Sequence, residues 1–379
     1  MKKKISVLHL PGVVGGNPQG LNKHLNQIGV KSELWAMRAH RFGYDVDKVI
    51  TKNTDGLLMV EIKRLLALRY IFLFDVIFFN FGNTLFTEPP LSVRQFNNIF
   101  LKKLLLVYRI YCRQMQKLEL FLLRVCRRKL FVQYQGDDAR QGDYSLKNFS
   151  ISIASQVGED YYSPESDRLK REQIELLQSA ECKMYALNPD LLRVLPPNSE
   201  FLPYSHISLS EWLPHFTQAE ERPLRIGHAP SHRGAKGTQF ILEALAQLKD
   251  EGFEFELILV EGVSNQEAKR QYIKIDVLVD QLFAGWYGGL GVEAMALGKP
   301  VVAYIRDEDL RYIPRDMERE LPIIRATPDD IKTVLQSVLE SPRLELLSLA
   351  KRSRAFVERW HDPIAIAERV ANDFRSGYR

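Results

Sequence analysis

The sequence predicts an α/β protein of two similar domains, each a parallel sheet with crossover helices. Three observations carry that expectation. Short apolar runs alternate with helical patterns along most of the chain. The alternation stops at a polar stretch ending in Gln218-Ala219-Glu220-Glu221-Arg222-Pro223 and then begins again. The chain has 379 residues, beyond the size at which a single core usually stops growing. We expect an N-terminal domain over residues 1–205, a C-terminal domain over 206–361, and an amphipathic helix over 362–379 that packs on one or the other.

In the first half, residues 5–10 read as a buried strand, 12–20 as a glycine-rich turn, 21–29 as a helix and 32–37 as a second strand. Residues 74–81, 130–135 and 183–189 read as or contain further strands. The second half restarts with a strand over 224–230, a loop over 231–237 and a helix from Thr238 to about Asp250. In that helix Ile241, Leu242, Leu245 and Leu248 recur at helical spacing and form the stripe that faces the sheet. Strands follow at 253–262 and 274–281, then a short helix starting near Val292 and a strand over 300–305.

Composition excludes several classes. An apolar share of 45% and a charged share of 26% are those of an ordinary globular chain. Cys112, Cys126 and Cys182 are too few and too widely spaced for a zinc pattern or a disulfide framework, which favours a reducing, cytoplasmic setting. His9, His24, His206, His215 and His232 show no metal spacing either, so no metal is expected. The N-terminal apolar run is short and broken by His9 and Pro11, unlike a signal peptide. The most apolar stretch, 68–81, contains Arg69, Asp75 and Asn80 and falls short of the roughly 20 apolar residues of a spanning helix. The net charge of +5 is modest and no nucleic-acid-binding module is present, so no nucleic-acid partner is expected.

The positive charge is concentrated in residues 100–131. Lys102, Arg109, Arg113, Lys117, Arg124 and Arg128 share one face if that segment is helical, with Glu119 as the sole acid. Leu104, Leu105, Ile110, Leu118, Leu122 and Val125 supply the apolar remainder. Such a helix suits anionic lipid headgroups or a lipid pyrophosphate, and its plainer reading is a solvated face.

The strongest local signal is 285–304, Gly-Trp-Tyr-Gly-Gly-Leu-Gly-Val-Glu-Ala-Met-Ala-Leu-Gly-Lys-Pro-Val-Val-Ala-Tyr. Glycines at 288, 289 and 291 let main-chain amides at a helix N-terminus approach an anionic or hydroxyl-rich ligand. Glu293, in the first turn, can accept from a vicinal diol such as a ribose, or else is a surface carboxylate held by the helix dipole. Arg233 and Lys236 lie in the loop after the strand 224–230, beside a helix start, where fixed cations and the dipole act on one anion. Trp286 and Tyr287 either stack on a sugar or base or pack beneath the motif. His228, at a strand end, reads as a hydrogen-bonded structural histidine.

On these residues the chain resembles the retaining glycosyltransferases with a Glu-x7-Glu motif, the group 1 or family 4 enzymes of the GT-B fold. The resemblance is specific over about 224–305 and looser elsewhere. It implies two Rossmann-like domains with parallel sheets facing across a cleft, closing over a nucleotide diphosphate sugar. It also implies Glu293 as the ribose ligand, with Gly288, Gly289 and Leu290 as main-chain donor contacts. Arg233 and Lys236 would hold the donor diphosphate and stabilise the leaving nucleotide in place of a metal, and Gly15 and Gly16 would line the first loop against the phosphates. Asp138 and Arg140, after the strand 130–135, would face the cleft, with Asp138 the candidate for a catalytic part. Where the first glutamate belongs, the chain has Gly285, so the usual contact to the transferred sugar is missing. The activity implied is sugar transfer with retention to a glycan or lipid-linked acceptor in cell-surface glycan synthesis, by a cytoplasmic protein peripheral to the membrane. The rival readings are a non-catalytic nucleotide-sugar-binding paralogue and a nucleotide-sugar epimerase on the same scaffold.

Overall fold

Strand-forming runs such as Val76–Asn80 are apolar at nearly every position because helices cover both faces of the sheet they enter. A computed structural model describes residues 5–39, 43, 45–87, 99–158, 160–216 and 222–376. Among these, strands β1 (Ser6–Leu10), β2 (Lys31–Ala36), β3 (Lys48–Val49), β4 (Val76–Asn80), β5 (Lys129–Tyr134), β6 (Lys183–Ala186) and β7 (Glu200–Phe201) form one sheet in the order β3-β2-β1-β4-β5-β6-β7. Strands β8 (Leu224–His228), β9 (Phe255–Leu259), β10 (Val277–Val279), β11 (Val301–Ala303) and β12 (Ile323–Arg325) form a second, in the order β12-β11-β10-β8-β9. Every recorded pairing is parallel. The molecule is therefore two Rossmann-like units, as the alternation predicts.

In each sheet the strand order reverses beside its first strand, between β1 and β4 and between β8 and β10. Ligands of open parallel sheets gather at that crevice, outside the carboxyl ends of the strands. The loops leaving β1 and β8 carry Gly15–Gly16 and Arg233–Lys236, so the topology delivers both segments to the switch points.

The helix Thr238–Asp250 has the predicted limits and turns Ile241, Leu245 and Leu248 into the core. Gly237 opens it at φ +75, and a Cβ there would come within 2.9 Å of Phe283. The helix after β10 runs from Gly289 to Ala296, starting three residues before the expected Val292. The last helix, Pro363–Arg375, is capped by Asp362 and crosses back to the first sheet. There Phe374 meets the Phe131 ring edge-on at 4.9 Å, and Asp373 accepts from Lys183 at 2.7 Å and from the Tyr185 hydroxyl.

The segment expected to be a basic amphipathic helix is the helix Ile99–Val125. The side chain of Lys102 lies outside the described residues. The arginines of the cationic stripe do not project freely, while Lys117 stays exposed. Arg109 pairs with Glu165 at 2.5 Å, Arg113 donates to the Glu172 carbonyl at 2.9 Å, and Arg124 pairs with Glu181 at 2.5 Å. These arginines tie the helix to its neighbour Pro164–Ser179. Its open face is apolar instead, with Val107, Ile110, Phe121 and Val125 exposed. Glu119 is fully buried, accepts the Leu85 and Phe86 amides, and is pushed up to about 7 by burial. The cysteines Cys112, Cys126 and Cys182 are free. Among the described residues no helix is long and apolar enough to cross a membrane.

Candidate functional site

The second sheet builds its half of the site around Asp280, the residue after β10. Its carboxylate is completely buried, which requires compensation by donors. One oxygen accepts the Gly288 amide at 2.7 Å and the other accepts Lys236 Nζ at 2.8 Å. Lys236 also donates to Gln281 Oε1 at 2.7 Å, while Gln281 Nε2 donates to the Trp286 carbonyl at 2.5 Å. The loop between β10 and its helix is thereby stapled at both ends. This explains the early helix start, because the fixed Gly288 amide sets the first turn. A Cβ at Gly291 would meet Asp280 at 3.2 Å and one at Gly288 would meet Lys236 Nζ at 3.3 Å, so a side chain at either position would push against this network. Lys236 consequently stands across the amide end of the helix.

Arg233 is placed otherwise. Its guanidinium forks onto Glu261 at 2.9 and 2.5 Å, and its side chain is 58% exposed. It does not line the cleft. His228 is buried and bonds the Val279 carbonyl and Thr238 hydroxyl, each at 2.8 Å, which makes it structural. Trp286 and Tyr287 are buried, and the Tyr287 hydroxyl meets His361 Nε2 at 2.8 Å, so both pack beneath the motif. Leu290 is half-buried against the same core. Glu293 lies with its carboxylate 3.3 Å from His206 Nε2.

Gly285 has φ +80, and a Cβ on it would lie 2.4 Å from Arg306 Nη1. Arg306 is buried, stacks at 3.7 Å over Phe149, and donates to Asp309 at 3.0 Å and to the Ile151 carbonyl at 2.7 Å. The space a glutamate would use at position 285 is filled.

From the first sheet, Gly15 and Gly16 both have φ +74, a conformation that a side chain disfavours. Gly15 faces Gln135 Oε1 and Gly16 faces the His206 ring stem, each at 3.3 Å from an added Cβ. After β5 the chain turns through Asp137 and Asp138, and the two carboxylates divide their work. Asp138 folds back onto its own loop, accepting the Gln135 amide at 2.9 Å and the Gly136 amide at 2.6 Å. Burial pushes its carboxyl up to about 6 against these hydrogen bonds. Asp137 accepts from Tyr161 at 2.5 Å, from the Tyr162 hydroxyl and from Arg140 at 3.2 Å. Burial tends to raise its carboxyl, but Arg140 and the two hydroxyls outweigh that and hold it below the ordinary value. Arg140 forks onto the buried Asp190 at 2.7 and 3.2 Å.

These groups meet in a cavity of about 350 Å³ between the two sheets. Asp137, Asp138 and Arg140 line it from one side, and Lys236, Gly288 and Gly289 from the other. Gly15 adjoins it through Gln135, Gly16 and Glu293 stand beside His206, which lines a neighbouring cavity, and Arg233 remains outside. Asp280, Gln281 and His206 join the site without belonging to any motif in the sequence. An Asp-Gln pair at the end of a buried strand was the available signal for the first two. His206 gave none, since its partners lie far along the chain. Among the described residues no group of three or more His, Cys, Asp and Glu side chains is placed to hold a metal ion.

No protein-family model and no curated protein matches the sequence. Solved structures do match in fold. HepE from Anabaena, in complex with UDP-glucose, has a TM-score of 0.60 at 11% identity, over 99% of this chain and 100% of that one. The catalytic domain of starch synthase IV from Arabidopsis thaliana, bound to ADP and acarbose, has 0.59 at 10% identity, over 98% and 99%. Sucrose-phosphate synthase from Thermosynechococcus elongatus has 0.57 at 14% identity, over 98% of both. End-to-end likeness to these proteins establishes the architecture: two Rossmann-like domains facing across a cleft in the GT-B arrangement.

Proposed function

We propose that the chain is a glycosyltransferase that binds a nucleoside diphosphate sugar in the interdomain cavity and transfers the sugar, with retention, to a glycan or lipid-linked acceptor. One observation carries this reading. The amide end of the helix Gly289–Ala296 opens into the cleft with Lys236 beside it, an arrangement suited to a diphosphate, in a fold shared with proteins seen bound to UDP-glucose and ADP. An ammonium has three donors, and Asp280 and Gln281 take two of those on Lys236. The third is available to a phosphate oxygen. As the bond to the sugar breaks, negative charge grows on the departing diphosphate, where oriented amides and a fixed cation stabilise it most. No metal is needed for that part. Arg233 reaches the same anion only by leaving Glu261, an exposed partner from which solvent screening makes release easy. We assign Asp137 to meet an acceptor or sugar hydroxyl, because its side chain is 43% exposed whereas Asp138 folds back onto its own loop. Three free cysteines are consistent with work in a reducing, cytoplasmic setting.

A thermal-shift screen against UDP-, ADP- and GDP-sugars identifies the donor, since a ligand at a hundred times its Kd stabilises by about 2.7 kcal/mol. With that donor, Lys236→Ala lowers transfer about a hundredfold, on the scale of losing one oxyanion donor, and Arg233→Ala lowers it less. Full turnover in Lys236→Ala would remove the diphosphate assignment.

A second reading, a binding protein without transfer activity, is favoured by Arg306 filling the place beside Gly285. Stabilisation by a donor, with neither transfer nor hydrolysis over any acceptor tried, selects it.

A further inference from the structure

The cations around the cavity are largely committed. Arg140 is forked onto Asp190, Arg233 onto Glu261, and Lys236 shares its donors with Asp280 and Gln281. A diphosphate carries more charge than the remaining ammonium donor and a few amides answer. At the same amide end stands one further polar side chain, His206, whose Nε2 lies 3.3 Å from the Glu293 carboxylate without a hydrogen bond to it. The His206 side chain is only 6% exposed, yet among the described residues neither Nδ1 nor Nε2 has a hydrogen bond. Burying such atoms without partners is costly, and native structures rarely tolerate it without a ligand or function.

The position of His206 is built. Tyr204 and Ser205, just before it, are held from both domains. The Tyr204 hydroxyl donates to Asn188 Oδ1 at 2.8 Å, and its carbonyl meets His361 Nδ1 at 3.0 Å. The Ser205 amide donates to Asn17 Oδ1 at 3.0 Å, and Gly20 packs so close to the Ser205 carbonyl that a Cβ would come within 2.1 Å of it. The imidazole therefore sits between Gly16 of the first loop and the first turn of the helix Gly289–Ala296. A Cβ on Gly289 would be 3.5 Å from its Cε1, and Glu293 is 3.3 Å from its Nε2. His206 also lines a neighbouring cavity of about 310 Å³ with Lys23, His24, Asp45, Asp47 and Glu211, and it borders the cavity of about 350 Å³ through Gly289.

We propose that His206 is a ligand of the donor diphosphate, donating a ring N–H to a phosphate oxygen where the first loop meets the helix amides. This rests on reading the cavity as a nucleotide site. Because residue 206 belongs to the segment joining the domains, the same contact ties the donor to both halves of the cleft. The imidazole binds and positions; it makes no bond to the sugar.

The test is a ligand-observed NMR titration of UDP, ADP and GDP, and of uridine, adenosine and guanosine, against wild type, His206→Ala and His206→Gln. For the base that binds, His206→Ala weakens the diphosphate about tenfold and leaves the nucleoside within about twofold. His206→Gln, which keeps an N–H at this site, stays within about threefold of wild type for both. Equal losses for nucleoside and diphosphate, or an unchanged diphosphate affinity in His206→Ala, would overturn the assignment. So would a glutamine variant as weak as alanine while melting at the wild-type temperature. If wild type binds none of the three diphosphates, the nucleotide reading itself falls and His206 with it.

Discussion

Gly285 shows how one residue alters the chemistry open to a motif. The resemblance places a glutamate there, and the obvious experiment is to restore it. The structure predicts a penalty instead. The backbone has φ +80, where a non-glycine residue costs about 1–2 kcal/mol, and the first side-chain atom would lie 2.4 Å from a buried guanidinium. Gly285→Glu should lower unfolding stability by on the order of 2–4 kcal/mol in urea titrations, and Gly285→Ala by nearly as much, without creating activity. A stable Gly285→Glu protein with raised transfer would show that Arg306 moves aside freely. Glycines 288 and 291 were legible because they approach Asp280 and Lys236 closely within one short loop. The engagement of Arg233 was not, since Glu261 is on a different loop, after β9. Asp138 misled for a related reason: a carboxylate at a strand end looks the same whether it faces a ligand or caps its own turn.

At the scale of elements, periodicity revealed the helix Ile99–Val125 but not which side meets the protein. Its regular arginines face the helix Pro164–Ser179 and are consumed there. The outward side shows Val107 and Phe121 at 62% exposure each, with Lys103 and Lys117 also exposed. The adjacent helix Leu57–Ile71, joined to it by Tyr108 donating to Glu61 at 2.7 Å, exposes Leu58, Ile62, Leu65 and Leu66. Leucines on that scale at the surface of a water-exposed helix call for a covering phase, and the flanking lysines favour an anionic one. Under the proposed membrane association, the contact through these helices is chiefly apolar. Co-sedimentation with phosphatidylglycerol vesicles should fall at least about tenfold in a Val107→Asp, Phe121→Asp variant, since each change removes burial worth about 1.5–3 kcal/mol. Arg109→Glu should affect it less. Wild-type protein remaining in the supernatant at all lipid concentrations would remove the membrane from the proposal.

At the scale of the molecule, the two domains were legible in the restarted pattern, whereas the contacts that bind them together involve residues with no local signature. Arg193 pairs with Asp309 across the cleft, Asp309 also holds Arg306, and the last helix returns to the first sheet. At that return His361 is buried, its two nitrogens meeting the Tyr204 carbonyl and the Tyr287 hydroxyl. Burial lowers its pKa to about 3, and lowers that of His9 in β1 to about 3 as well. Both imidazoles are neutral in the folded chain, whereas in the unfolded chain each gains a proton below about 6.5. Each therefore withdraws stability as pH falls from 6.5 toward 3, by about 1.4 kcal/mol per pH unit. Glu119 and Asp138, raised to about 7 and 6, act in the opposite sense, because the folded state keeps their protons longer and gains stability as pH falls through those values. The opposing contributions offset one another in the wild type, so the pH profile of a single variant is the informative measurement. His361→Gln retains a donor and an acceptor for Tyr204 and Tyr287 but cannot titrate. Between pH 7 and pH 5 its unfolding free energy in urea should fall about 2 kcal/mol less than that of wild type. Parallel profiles for the two proteins would mean that His361 is reached by water and charges in place, which would make the return of the last helix a looser joint than the hydrogen bonds to Tyr204 and Tyr287 imply.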